Sequence, residues 1–290
     1  MDALTPLISG LNLHEIGLFG WGVRALVDGS QLTDLGLVSL GQQGTRFVHL
    51  PRWPEPLRLD TGDLILFLPH AARYFLSYSA EDLPDDDCDT RMAPWAEGDV
   101  GFVCGEIQLA SPKSLLWQPL PVEIVILQSQ AGTTLTRLLE LVIAEASTPR
   151  FGSESVIERL CDSLLVLAIR HCIEQDWVRE GVFAAMQDKR LAKALNLIHE
   201  QPWQNWTLSG LCSQAGVSKS VLSEKFAALI GHSPIEYLML WRLQIAAHWL
   251  MEPNITMERV AERSGYESAP AFNKAFKRHI GVAPGAFRRI

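Results

Sequence analysis

TLSGLCSQAGVSKSVLSEKF, residues 207–226, and TMERVAERSGYESAPAFNKAF, residues 256–276, are two versions of one pattern. Leu208, Leu211, Cys212, Ala215, Gly216 and Val217 recur 49 residues later as Met257, Val260, Ala261, Ser264, Gly265 and Tyr266. Leu222, Phe226, Gly231, Ser233 and Pro234 recur 50 residues later as Phe272, Phe276, Gly281, Ala283 and Pro284, so one residue is inserted just after the glycine turn. Self-similarity of this kind marks a repeated supersecondary unit. Each copy predicts helix, tight turn, helix. Thr207 and Thr256 are placed to cap the first helix of their copies, and apolar residues three and four apart turn that helix inward. Gly216 and Gly265 supply a turn conformation that a Cβ would penalise. Ser218 and Ser268 then cap the second helix, which is anchored by Leu222 and Phe226 or by Phe272 and Phe276, and Pro270 falls in a first turn where its missing N–H costs little.

Between the copies, PIEYLMLWRLQIAAHWLM predicts a helix opened by Pro234 and carrying Ile235, Leu238, Trp241, Leu243, Ile245 and Trp249. Roughly 17 residues at 1.5 Å each span about 25 Å. A rigid spacer of that size can set two helix-turn-helix units on neighbouring major-groove segments of one DNA face, which repeat every ~34 Å. The charge agrees. The whole chain of 290 residues has a net charge of -8, but residues 186–290 hold 13 Lys and Arg against 8 Asp and Glu, while residues 1–185 hold 12 against 25. Polyanionic nucleic acid selects cationic surface locally, so the C-terminal part is the expected footprint.

The apolar anchors leave Lys219, Ser220, Ser223 and Lys225 on the first recognition helix, and Ala269, Asn273, Lys274, Lys277 and Arg278 on the second, as the residues expected to face DNA. Asn reads adenine bidentately and Ser is an adaptable donor or acceptor. Lys277 and Arg278 come late in their helix, where a phosphate clamp is expected.

Upstream, WGVRALVD, LGLVSL, TRFVHL, DLILFLP, DVGFVCGEIQL and VEIVIL read as strands of an all-β unit between Trp21 and about Leu127, and EDLPDDDCDT, residues 81–90, reads as a solvated loop. From Thr133 the period changes: TTLTRLLELVIAEA and SESVIERLCDSLLVLAIRHCIEQDW predict two amphipathic helices, followed by a junction, REGVFAAMQDKR, with a new helical region near Arg190. The fold class expected is therefore α+β in two domains. No apolar run approaches the ~20 residues of a membrane span, and the N-terminus has neither a basic leader nor a small-residue cleavage site. A cytoplasmic protein without membrane contact is expected. The five cysteines, Cys88, Cys104, Cys161, Cys172 and Cys212, form no CxxC pair, which argues against a zinc site or a disulfide framework.

Residues 190–290 resemble the C-terminal domain of AraC/XylS transcription regulators. The matching residues include Gly231-His-Ser-Pro234, Arg242-Leu243, Ala246, Ile255, Val260-Ala261, Gly265-Tyr266, Phe272-Asn-Lys-Ala-Phe276-Lys-Arg, Gly281-Val-Ala-Pro284 and Phe287-Arg288. Two positions depart from the family pattern: Glu224 stands where Arg is common, and Ala283 where Ser is usual. The resemblance implies double-stranded DNA and RNA polymerase as partners, a homodimer, and regulation of transcription with activation the commoner outcome.

Gly62-Asp63-Leu-Ile-Leu-Phe-Leu-Pro69 resembles the corresponding segment of cupin barrels, which form the effector domain of many AraC/XylS proteins. MDALTPLISG and Phe102-Val-Cys-Gly105 resemble a cupin-bearing subgroup that includes a reactive-chlorine sensor. That subgroup's early cysteine is missing, and its expected His appears as Tyr74 with His70 displaced toward Pro69. The resemblance implies an unidentified small-molecule or redox effector, with Cys104, His70 and Tyr74 as the sensor residues. No cofactor and no metal site are expected, because metal cupin chemistry needs two or three His plus a carboxylate at close strand spacing and no HxH occurs. No nucleophile and base set can be assembled either, so the chain does not read as an enzyme. The architecture implied is a cupin-like β-barrel in residues 1–130, a helical dimerisation and linker region in 131–185, and an all-α DNA-binding domain in 186–290, with two helix-turn-helix units joined by a linker helix. A cupin enzyme fused to a DNA-binding tail, or an architectural DNA-binding protein without a regulated state, are the alternatives left open.

Overall fold

The structure, a computed structural model, describes residues 19–20, 25–27, 35–41, 46–50, 53–68, 74–77, 80–81, 93–94, 102–108, 119–148, 150–250 and 255–288. Its strands are β1 (Phe19–Gly20), β2 (Ala25–Val27), β3 (Leu35–Gly41), β4 (Arg46–His49), β5 (Leu57–Leu59), β6 (Leu64–Phe67), β7 (Tyr74–Ser77), β8 (Ala93–Pro94), β9 (Phe102–Gln108) and β10 (Glu123–Ile126). Two antiparallel four-stranded sheets result, ordered β10-β6-β3-β9 and β2-β7-β4-β5, with β1 and β8 paired beside them. All six stretches expected to be strands contribute one. β1, β5, β7 and β8, of two to four residues each, were not foreseen.

In β6, Leu64, Ile65, Leu66 and Phe67 are all buried, as a strand covered on both faces requires. The Gly62-Asp63 turn before it has a specific task. Gly62 adopts φ +87°, and the buried Asp63 accepts the Asp60 N–H at 2.7 Å and the Gln128 N–H at 2.8 Å. The carboxylate thereby ties the β5–β6 hairpin to the chain just beyond β10.

Two helices complete this unit, α1 (Gly132–Ser147) and α2 (Ser153–Glu174). They pack on each other through Leu135, Leu139 and Val142 of α1 and Ile157, Cys161, Leu164 and Leu165 of α2, all buried. Their junction is stapled by Glu145, which accepts from Ser153 Oγ at 2.6 Å and pairs with Arg150 at 2.7 Å. Those two donors hold its carboxyl below the usual carboxylate range.

The second compact unit, which includes Asp176–Ile290, holds α3 (Gly181–Gln187), α4 (Lys189–Glu200), α5 (Leu208–Ala215), α6 (Lys219–Ile230), α7 (Pro234–Leu250), α8 (Met257–Arg263), α9 (Ala269–Ile280) and α10 (Pro284–Phe287). The stretch expected to be a junction is instead α3, which packs on α4 and α6 through buried Val182, Phe183 and Ala185. At seven residues it is two turns long, too short for a helical period to register.

The core of this unit has two lobes that share α7. Toward the first repeat, buried Tyr237 meets Phe226 edge to face at 5.6 Å, and Trp241 lies against His199 of α4 with ring centroids 4.7 Å apart. Leu243, Ala246, Ala247 and Leu250 face the second with Val260, Ala261, Phe272 and Phe276. A helix apolar on nearly every side is the mark of a buried spine.

Candidate nucleic-acid interface

Each repeat folds as its local chemistry dictates. Thr207 Oγ1 accepts the Gly210 N–H at 3.1 Å and Ser218 Oγ the Val221 N–H at 3.4 Å; in the second copy Thr256 serves Arg259 at 3.2 Å and Ser268 serves Ala271 at 3.4 Å. Such caps satisfy N–H groups that a helix cannot pair internally, and each is worth about 1 kcal/mol. Gly216 and Gly265 take φ +70° and +75°. Ser264, where the first copy has Ala215, buries its hydroxyl by donating it to the Val260 carbonyl at 2.7 Å. Arg288 donates to the carbonyls of Leu250 and Ile255 at 3.2 and 2.6 Å, linking the chain after α10 to the end of α7 and the start of the second copy.

The second helices of the two copies, α6 and α9, are the ones whose exposed faces were expected to meet DNA. On α6, buried Leu222 and Phe226 fix the rotation, and at 100° per residue Ser220, Glu224, Ala227 and Ala228 come opposite them; all four are exposed. Lys219 is exposed at the helix start and Ser223 half-buried on the flank. Lys225 is engaged: its ammonium pairs with Asp188, the N-cap of α4. The carboxyl of Asp188 is held below its usual range, first by that ammonium and then by the Arg190 N–H. On α9, Phe272 and Phe276 are fully buried, while Asn273, Lys274, Lys277 and Arg278 are exposed and Ala269 is half-buried at the first turn.

The two faces therefore differ in charge. Among the described residues α6 has Lys219 without a partner at its start and Glu224 on its exposed face, whereas α9 carries Lys274, Lys277 and Arg278 with no acid in the helix. Glu224 lies nearest the centre of the α6 face, and its place follows from the positions of Leu222 and Phe226. Asp188 and its hold on Lys225 could not be read from sequence, since the partners are 37 residues apart.

Of the expected sensor residues, Cys104 lies in β9 paired with Ser39 of β3, and Tyr74 opens β7 paired with Val27 of β2. Their side chains, and His70 altogether, fall outside the described residues. Among the described residues no cluster of three or more His, Cys, Asp or Glu is placed to hold a metal ion, and no described helix is long and apolar enough to cross a membrane.

Comparison with known proteins agrees with this geometry. The helix-turn-helix domain family model matches residues 211–290, and the cupin family model matches residues 2–174, more than half of the chain. A protein of Streptomyces antibioticus described as an AraC-like transcription regulator is 30% identical over 302 residues, covering 99% of this chain and 97% of its own. The chain belongs to the AraC-like transcription regulators. A similarly described protein of Streptomyces lividans is 29% identical, covering 99% and 97% of the two chains. RclR of Escherichia coli K12, an RCS-specific transcriptional activator, is 26% identical over 84% of each chain. This regulator thus has a cupin domain at its N-terminal side and a helical DNA-binding domain at its C-terminal side. Its relatives are transcription regulators, not enzymes.

Proposed function

We propose that this regulator engages a bipartite DNA site with both recognition helices and activates transcription by contact with RNA polymerase. The observation that carries the bipartite reading is the shared spine: α7 forms one wall of each lobe, so α6 and α9 are presented by a single rigid unit. In this reading Asn273, Ser220 and Ser223 address base edges, Ala269 offers a small apolar contact, and Lys219, Lys274, Lys277 and Arg278 address phosphates. Lys225 contributes less than its position suggests while Asp188 holds it. The second unit supplies most of the electrostatic attraction, and the first unit, with Glu224 at its centre, makes a weaker backbone contact.

The proposed division of labour runs 1–130 for the effector domain, with its sheets closed as a cupin barrel, 131–185 for dimerisation and connection, and 186–290 for DNA. The support for dimerisation is apolar exposure on and between α1 and α2, with Leu141 57% and Val156 44% exposed and Phe151 fully so. The signal enters the N-terminal domain as a small ligand or as oxidation, with Cys104, Tyr74 and His70 the sensor residues proposed. The protein acts in the cytoplasm, where its DNA is.

The test is selection of bound duplexes from random DNA with the full-length protein, followed by footprinting. Two protected segments about one helical turn apart, bound with affinity that falls steeply with salt, are expected. A single protected segment would sink the bipartite reading.

A further inference from the structure

Arg242 lies midway along α7 with 5% of its surface exposed. Its Nε donates to the carbonyl of Pro202 at 2.6 Å and its Nη2 to the carbonyl of Gln204 at 3.0 Å. Both carbonyls belong to the segment that leads from α4 into the first helix-turn-helix unit. Its Nη1 rests 3.7 Å from Met239 Sδ. Among the described residues it makes no ion pair, so its charge is met by peptide dipoles. Burial pushes its pKa down while Tyr266 opposes the shift, and a guanidinium stays protonated at neutral pH regardless.

The other side of the same guanidinium lies against the second unit. A Cβ built on Gly265 would come within 2.5 Å of Arg242 Nη1 and 3.0 Å of Cζ. Gly265 is the turn glycine of the second copy. Its counterpart Gly216 has nearly the same φ, yet a Cβ there would meet nothing within 4 Å. Backbone conformation alone calls for glycine at 216; at 265 the approach of Arg242 calls for it as well. One rigid planar group therefore touches the entry to the first unit and the turn of the second. Lysine cannot reproduce this, because its donors radiate from one point and cannot bridge two carbonyls while lying flat on a turn.

We propose that Arg242 is a positioning residue that sets the distance and rotation between the two recognition helices, and so fixes the spacing of half-sites that this regulator accepts. The proposal rests on the reading that both units enter DNA together.

The test uses the full-length protein and the duplex it selects. Derivatives carry one or two extra base pairs between the protected segments, or only the segment bound by the second unit. One inserted pair rotates the segments by about 35° and separates them by about 3.4 Å. Wild type is expected to lose at least about tenfold in affinity on that insertion. In Arg242→Lys the loss shrinks below about threefold, while affinity for the single-segment duplex stays within about twofold of wild type. An arginine that merely stabilises the fold would lower affinity for every duplex by one factor and leave the spacing profile unchanged; that result overturns the proposal. Where Arg242→Lys fails to fold, Gly265→Asn and Gly216→Asn decide, since Asn tolerates the left-handed region at similar cost in both turns but only at 265 displaces Arg242. Loss of spacing preference in Gly265→Asn alone supports the tie, and equal profiles overturn it. A wild type indifferent to spacing is the distinct result that removes the two-segment reading itself.

Discussion

Replacing Asp188 by Asn is expected to make this regulator bind DNA more tightly and with a steeper salt dependence. Asp188 Oδ1 accepts the N–H groups of Arg190 at 2.9 Å and Leu191 at 3.4 Å, while Oδ2 pairs with the Lys225 ammonium. Asn can still cap the helix but no longer balances a charge. The carboxyl is held below its ordinary range, first by Lys225, so at neutral pH it is ionised and its charge offsets that of the ammonium it pairs with. Freeing it adds one cation able to displace a counterion from DNA, which steepens the slope of log K against log salt by about 0.9. Between 50 and 200 mM salt that is an extra factor of about 3.5. The same arithmetic ranks the other cations. Lys225→Ala in the native background changes the slope by close to zero, and Lys277→Ala lowers it by about 0.9. Removing Lys274, Lys277 and Arg278 together lowers it by about 2.7, or about 40-fold over that salt range. Fluorescence anisotropy on a labelled duplex across a KCl series measures each slope. If Lys225→Ala flattens the slope as much as Lys277→Ala, or Asp188→Asn leaves it unchanged, the pairing does not neutralise Lys225 and the charge reasoning fails.

Four further outcomes follow from the packing. His199 is buried against Tyr237 and Trp241 with its pKa pushed down to about 3, below the unfolded value of 6.5, so protonation of the unfolded chain should erode stability as pH falls between those values. The loss approaches about 1.4 kcal/mol per pH unit, and His199→Phe should flatten it while costing about 1–3 kcal/mol at neutral pH through the orphaned Tyr237 hydroxyl, as urea melts across pH will show. Phe276→Ala removes a fully buried ring that meets Phe272 and Phe287, and thermal melts should register a loss of about 3–5 kcal/mol with DNA binding lost alongside. Cys161 and Cys172 are pushed up to about 12 by burial, so iodoacetamide at neutral pH should leave both unlabelled in the native protein, and rapid native labelling of either would contradict that burial. Leu141→Lys on the exposed side of α1 is expected to weaken self-association by about tenfold or more, read by sedimentation; unaltered association would place the dimer interface elsewhere.

The elements of the DNA-binding domain were legible because they obey rules that act within a few residues. Thr207, Ser218, Thr256 and Ser268 each cap an N–H three positions ahead, Gly216 and Gly265 turn where a Cβ is penalised, and Pro234 opens α7 where expected. The repeat then supplied the function, because two capped units in one register state their own architecture. The six expected strands were legible as short apolar runs broken by Gly, Pro and Asp, whereas α3, at seven residues, was too short to show a helical period.

What only the tertiary structure decided lies at sequence separations of 37 to 40. Lys225 reaches Asp188 across 37 residues, His199 reaches Tyr237 across 38, and Arg242 reaches Gln204 and Pro202 across 38 and 40. The first two tie α4 to α6 and to α7, and the last ties α7 to the segment between α4 and α5. Two sequence-identical stretches would cap and turn alike in any fold, but which lysine is neutralised, and which arginine lies on which turn, depends on how α3, α4 and α7 stack on the repeats. A local rule limits each side chain to neighbours within a turn; only packing chooses among the remote ones, and here it separates a cation free to meet DNA from one already held.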